Sequence, residues 1–449
     1  MTKSMTEGKP LPLILQFAVP LLIGNLLQQT YNIIDAAIVG RILGADALAG
    51  VGASSSVQFL VLGFCIGVCC GFGIPIARSF GAQDYDKMRS DIFHGMALTG
   101  IFAVVLTVLC ALLCPQILQI LSTPDDIYEN AYRYLFIIFL GIPFNLLYNL
   151  MSGIFRSVGD SRTPFMFLAF ATVLNIGLDL FFIVVLHLGV AGAAAATVMA
   201  QALSGILCFI YMRKKMPVLH LGREDCRWSG DTVKLMLSMG LPMGLQYSIT
   251  AIGSMVMQSA NNGLGSVYVS GFTAGARIKQ FAMCPFDALA TGTSVFCSQN
   301  LGAGKMERIK TGIKQGTAVG ILYGLFAGLV IIFFGRTLSL LFVSGENGAI
   351  LDASARYLRC MGYFFWSLGI LNVCRMCTQG LGFSVRVVFA GLLEMAARCV
   401  VSLFFVPVFG FTAICFADQS AWLSACIYIV PTCMHCVKLC ADKLKNCDV

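Results

Sequence analysis

The stretch Leu11–Gly40, LPLILQFAVPLLIGNLLQQTYNIIDAAIVG, opens with an apolar run long enough to cross a bilayer, for which about 20 apolar residues suffice. Pro20 interrupts the helical pattern, removing a backbone donor, and predicts a kink. Asn25, Gln28, Gln29 and Asn32 follow, and Asp35 lies deeper still, with Ala36 to Val39 continuing the apolar run beyond it. A span that left the bilayer at Asn32 would leave Asp35 in water, but the run does not stop there. A carboxylate at membrane depth is costly and faces a cavity or a polar partner. A kinked first helix with an inward acid predicts a transporter rather than a simple anchor.

The composition agrees. Of 449 residues, 58% are hydrophobic and 12% charged, with a mean hydropathy of +0.83. A soluble fold could not cover so much apolar side chain with so few charges, so the expected class is an all-α polytopic membrane protein. A transmembrane β-barrel would alternate polar and apolar residues in short segments, whereas these runs are long and continuous. Lys3 and Lys9 precede a long span with no small-residue cleavage site, so the first helix is expected to stay. Most of the 19 cysteines fall inside apolar runs, where a free thiol behaves as a small hydrophobe. Cys433, Cys436 and Cys440, with His435 between them, have metal-like spacing but no second ligand pair, so no metal site is expected.

Twelve apolar segments are readable, at about 13–38, 48–76, 92–114, 130–151, 164–187, 190–212, 233–260, 267–297, 311–334, 353–378, 384–407 and 411–437. With the N-terminus placed in the cytoplasm, 22 Lys and Arg fall on cytoplasmic stretches and 5 outside. That bias predicts both termini in the cytoplasm of a multi-pass cell-membrane protein. The polar connection 213–232 divides the chain into a six-helix lobe at 1–212 and another at 233–449. Landmarks recur between the halves: AVPLLIG with Pro20 and MGLPMGL with Pro242, GAQDYDKMR from Gly81 and GAGKMERIK from Gly302, LGVAGA with Gly189 and FGFTAI with Gly410. The shifts are 222, 221 and 221 residues. Six helices per half make this a parallel repeat, two pseudo-symmetric bundles about an axis along the membrane normal. Gly63, Gly67 and Gly71, spaced by four, form a small-residue stripe suited to close helix approach.

The acids within spans are Asp35, Asp179, Asp287, Glu394 and Asp418. Asn175 and Asp179 stand one turn apart and share a helix face. A carboxylate beside an amide oxygen suits Na+ or accepts H+, and Thr197 in the next segment is placed to add a hydroxyl. The plainer alternative is that the pair glues helices together. Glu394 and Arg398, also one turn apart, read as a structural ion pair. Arg277 and Lys279 read either as partners of Asp287 or as cavity lining, and Asp418 is expected to be wet near the outer leaflet. Gln28, Asn32, Gln246, Met257 and Met283 are the candidates for lining a substrate cavity, although methionines at such positions are also ordinary core filling.

The segments YNIIDAAIVGRILGADALAGVGA, RSFGAQDYDKMR, FRSVGDSRTPF, LNIGLDLFFI, CSQNLGAGKMERIK and QGLGFS together resemble the multidrug and toxic compound extrusion (MATE) family, in order and over essentially the whole chain. The resemblance implies an antiporter that exports organic, often cationic and amphipathic compounds in exchange for H+ or Na+. It also implies that a kinked first helix and an acid-lined cavity of the N-terminal half host the coupling cation. The matching positions are Pro20 for the kink and Asp35, Asn175, Asp179, Thr197 and Tyr134 for the cation. Some members carry a further coupling carboxylate in the seventh or tenth helix; 233–260 and 353–378 hold no acid here, and Gln246 and Thr250 stand there instead. The expected partners are small organic molecules and membrane lipid, with no nucleic acid, no cofactor beyond the coupling ion, and a monomeric state. The rival transporter is a lipid-linked oligosaccharide flippase of the same wider superfamily, which would need a more basic cavity than Arg277, Lys279 and Arg398 provide. The four histidines, His94, His187, His220 and His435, are scattered, which argues against an enzyme.

Overall fold

A computed structural model describes residues 4–120 and 123–447. Within them the chain is helical, with no strand among the described residues. Six helices make up most of the N-terminal half: α1 (Pro10–Ile42), α2 (Ala45–Gly81), α3 (Tyr85–Ile120), α4 (Asp125–Leu140), α5 (Ile142–Ser157) and α6 (Arg162–Leu180). They are followed by α7 (Gly189–Lys215), α8 (Gly230–Asn262), α9 (Ser266–Gly302), α10 (Met306–Ser339), α11 (Gly348–Gly380), α12 (Ser384–Val400), α13 (Val406–Phe409) and α14 (Phe411–Cys447). The twelve expected segments are all present. Two of them are interrupted: α4 and α5 form one span bent by 48°, and α12 and α13 are joined through a π-turn segment, Val401–Phe405. Gly141 and Pro143 explain the bend, since a proline near the start of α5 cannot continue the hydrogen-bond ladder of α4. A second π segment, Phe181–Val185, extends α6.

Nine helices among the described residues are long and apolar enough to cross a membrane, and the bent pair makes a tenth. The outer faces of α3 and α10 show why the bilayer must be their solvent. Val104, Leu112 and Leu113 stand exposed on one and Leu322, Phe326 and Phe333 on the other, contiguous apolar surface that water would not tolerate. This is a multi-pass membrane protein.

The chain divides into two compact units. The first comprises residues 1–4 and 23–244, the second 5–22 and 245–449. The division therefore falls inside α1, beside Pro20, and inside α8, beside Pro242, and the polar connection 213–232 lies within the first unit. The reason is packing. Gly67 and Gly71 of α2 lie so close to α8 that a Cβ on either would come within 2.6 Å of the Met243 or Met239 carbonyl oxygen, which ties the first half of α8 to the first unit. In the second unit a Cβ on Gly292 would meet the Ile14 carbonyl oxygen at 3.2 Å, and Ile14 and Phe17 join the core formed by Phe286, Phe296, Tyr357, Phe365 and Trp422. The first unit has its own core around Phe72, Ile92, Leu118, Phe139 and Phe155.

The internal repeat is visible in these elements. Helices α2 and α9 are both 37 residues long and start 221 residues apart. Gly189 and Gly410, the landmark glycines, open α7 and precede α14 with φ of 60° and 56°, a region where a Cβ is disfavoured. Each unit also carries a polar strap ahead of its proline-bearing helix. In the second, Gln299 Oε1 accepts from the Met5 backbone N–H (2.8 Å), and Lys305 Nζ donates to the Thr6 carbonyl (3.0 Å). Arg308 donates to the Gly8 and Met5 carbonyls (2.6 and 3.1 Å). In the first, Arg89 pairs with Asp225 (3.1 Å), His94 Nε2 accepts from the Ser229 N–H (2.9 Å), and its ring lies 5.4 Å from that of Trp228.

Candidate functional site

The first unit gathers five elements around a buried polar cluster. Tyr31 and Asp35 come from α1 and Asn175 and Asp179 from α6, each pair one turn apart on one helix face. Tyr134 comes from α4, Thr197 from α7 and Gln58 from α2. Asp179 is fully buried, Asn175 and Tyr134 nearly so, and Asp35 is half-buried. The Asp35 and Asp179 carboxyls face each other. Thr197 Oγ1 lies 3.0 Å from Tyr31 Oη and 3.4 Å from Asn175 Nδ2. Tyr134 lies beside Gln58, which donates to Ser54 Oγ (3.1 Å).

The chemistry of the cluster lies in what its oxygens lack. Asp35 Oδ1, Asn175 Oδ1 and both oxygens of Asp179 are buried without a protein donor. Buried acceptors left unmatched are destabilising, and proteins rarely retain them without a reason. Two carboxyl groups in contact must hold a proton or another cation between them. Acceptor oxygens converging with no fixed cation suit an exchangeable one. The structure brings together all five of the residues expected to bind the cation. It adds Tyr31 and Gln58, which the sequence reading missed; Tyr31 stands one turn before Asp35, and that spacing was the available signal.

The five residues expected to line a substrate cavity are divided between the units. Gln28 and Asn32 are exposed on α1 in the first. In the second, Gln246 is buried and accepts a hydrogen bond from Gln379 Nε2. Met257 belongs to the apolar core, and Met283 packs against it. Pro20 lies within α1, at the edge of the second unit.

The second unit holds a charged cluster whose pairing differs from expectation. Asp418 is not wet. It is 1% exposed, and its two oxygens receive Lys279 Nζ (2.6 Å), Tyr357 Oη (2.9 Å) and Arg398 Nε (3.0 Å). Glu394 pairs with Arg375 as well as with Arg398, the latter at 3.6 Å. Lys279 thus serves Asp418 rather than Asp287, which is exposed, as is Arg277. Four elements, α9, α11, α12 and α14, converge here, and distances along the sequence could not reveal that. On α14, the free thiol of Cys433 lies beside that of Cys374, and Cys436 Sγ lies 3.3 Å from Arg386 Nη1.

Comparison with known proteins settles the lineage. The MatE family model matches residues 20–181 and 242–406, one copy in each half. The chain belongs to the MATE family. It is 30% identical over 418 residues to the probable multidrug resistance protein YpnP of Bacillus subtilis, covering 93% of this chain and 90% of that protein. YoeA, another probable multidrug resistance protein of B. subtilis, is 28% identical over 74% of this chain and 73% of its own length. A multidrug resistance MATE family transporter solved in an outward-facing conformation superimposes with a TM-score of 0.91, at 22% identity over 97% of this chain and 98% of that one. Membership makes the chain a transporter, and the structural match fixes its fold.

Proposed function

We propose that this protein exports small organic molecules across the cell membrane in exchange for H+ or Na+, with the coupling cation held between Asp35 and Asp179. The observation that carries this reading is the set of buried acceptor oxygens on Asp35, Asn175 and Asp179 that no protein donor reaches. The multidrug names of the relatives supply the substrate class, and the family's preference for organic cations is the first class to try. Both termini are cytoplasmic on this reading, as the 22 to 5 bias of basic residues requires. Coupling requires that cation and substrate have different affinities for the two access states. Cation binding would do this by changing the packing of the Asp35 end of α1, with Pro20 as the flexible point. A flippase for lipid-linked sugars is not favoured: Lys279, Arg375 and Arg398 of the second unit are each paired with its own acids, and Arg277 is exposed.

The test is efflux of a fluorescent organic cation from proteoliposomes under an imposed pH or Na+ gradient. Wild type is expected to respond to one of the two gradients. Asp35→Asn and Asp179→Asn are each expected to abolish the gradient-driven component. Efflux that survives both substitutions would sink the assignment of the coupling site.

A further inference from the structure

The internal repeat lets three positions of the first unit's cation cluster be laid on the second, where its acids Asp35 and Asp179 fall at Met257 and Val401. At the 221-residue shift of α2 onto α9, Gln58 becomes Lys279. Helices α4 and α11 begin at Asp125 and Gly348 and share the sequence Arg-Tyr-Leu, at 133–135 and 356–358, so Tyr134 becomes Tyr357. With Gly189 on Gly410, Thr197 becomes Asp418. The three positions that converge in the first unit converge again in the second. There the contents are different: a lysine, a tyrosine and a carboxylate, joined by Arg398 of α12.

The two clusters also hold their carboxyl oxygens differently. In the first, Asp35 Oδ1 and both Asp179 oxygens lack protein donors. In the second, both Asp418 oxygens are filled: Oδ2 by Lys279 Nζ and Tyr357 Oη, and Oδ1 by Arg398 Nε. Lys279 also lies 5.9 Å from the centre of the Tyr357 ring, a cation–π contact that helps hold the ammonium in place. Glu394 lies against Arg398 and is itself paired with Arg375. The charged and titratable groups around Asp418 are thus Lys279 from α9, Tyr357 and Arg375 from α11, and Glu394 and Arg398 from α12.

We propose that the second unit keeps a potential cation site closed with its own side chains: Asp418, at the position of Thr197, is neutralised by Lys279 and Arg398, while the counterparts of Asp35 and Asp179 are Met257 and Val401. Lys279 and Arg398 act as tethered counter-ions. The second unit then exchanges no cation, and each molecule couples through the first unit alone. Asp418 is on this account a positioning residue that fixes α14 against α9, α11 and α12. The inference rests on reading the Asp35–Asp179 cluster as a cation site, and the test separates the two.

The full-length protein is purified in detergent, and its Tm is followed against NaCl, with choline chloride keeping ionic strength constant, and separately against pH. Wild type is expected to show a saturable rise in Tm with Na+ or with falling pH. The double variant Asp35→Asn/Asp179→Asn is expected to lose it. Adding Lys279→Gln and Arg398→Gln to that double variant bares Asp418 and is expected to restore a saturable response, now in the second unit. A saturable response in the Asp35→Asn/Asp179→Asn variant itself would overturn the inference, as would a folded quadruple variant that does not respond. Should the quadruple variant fail to fold, the double variant alone decides, because the inference requires it to bind no cation. A wild type that shows no response overturns the reading of the first-unit cluster instead.

Discussion

At the scale of single residues, two buried aspartates are held in opposite ways, and their substitutions should have opposite consequences. Asp418 neutralises Lys279 and Arg398 in a site 1% exposed. Asp418→Asn leaves both cations short of a partner, and breaking a buried pair in this way costs about 3–5 kcal/mol. Its unfolding midpoint in detergent should fall clearly below that of wild type. Asp179 has no protein donor on either oxygen and faces a second carboxyl, so Asp179→Asn removes a like-charged group rather than a pairing. Its midpoint should be unchanged or raised while transport is lost, as expected where function maintains an unfavourable arrangement. A destabilised Asp179→Asn would show that the acid has structural donors after all. The sequence made Asp179 legible because a carboxylate beside an amide, one turn apart in an apolar helix, has few other uses. It hid Asp418, which lies close to the end of an apolar run; its partners come from three other helices, 20 to 139 residues away. Carrying the repeat offset from Gln58, Tyr134 and Thr197 to Lys279, Tyr357 and Asp418 would have found it.

At the scale of helices, close approach depends on glycines that have neighbours, not on glycines in general. A Cβ on Gly369 of α11 would lie 2.4 Å from the Gly320 carbonyl carbon of α10, with no flexible side chain in between to give way. Gly369→Ala should therefore push α10 and α11 apart and cost about 1–3 kcal/mol, the usual penalty for overpacking. Gly100 of α3 has open space around it, with nothing within 4 Å of where a Cβ would stand. Gly100→Ala should be neutral or stabilise by up to about 1 kcal/mol, through helix propensity alone. Parallel unfolding curves of the two variants check this, and equal effects would remove the packing explanation. The Gly67–Gly71 stripe was readable from its spacing of four, but its partner was not: α8 answers with Gly240 and Gly244, two positions in the other half of the sequence. The bend between α4 and α5 and the π segments at 181–185 and 401–405 were equally invisible. An apolar run reads the same whether its ladder is regular or slips by one residue.

At the scale of the whole chain, the repeat accounts for where each unit recruits its polar straps. The N-terminal strap is held by Gln299, Asn300, Lys305 and Arg308, at the junction of α9 and α10, and the strap ahead of α8 is held by Arg89 and His94, just past the junction of α2 and α3. The GAGKMER and GAQDYDKMR turns, readable as topology signals, therefore also serve as anchors. Each strap leads into a helix that changes unit beside its proline, so it fixes the start of an element whose far end belongs elsewhere. Arg308 is the main fastener of the N-terminal strap, donating to the Met5 and Gly8 carbonyls and to Asn300 Oδ1 (2.8 Å). Hydrogen bonds from a charged donor are worth about 1.5–3 kcal/mol each, so Arg308→Ala should speed hydrogen exchange at residues 5–9 by roughly ten- to hundredfold. Exchange at residues 222–229 should not change, because Arg89 and His94 hold that strap separately. Exchange rising at both straps would mean that the two units open as one body, and the division of the chain at Pro20 and Pro242 would then carry no mechanical meaning.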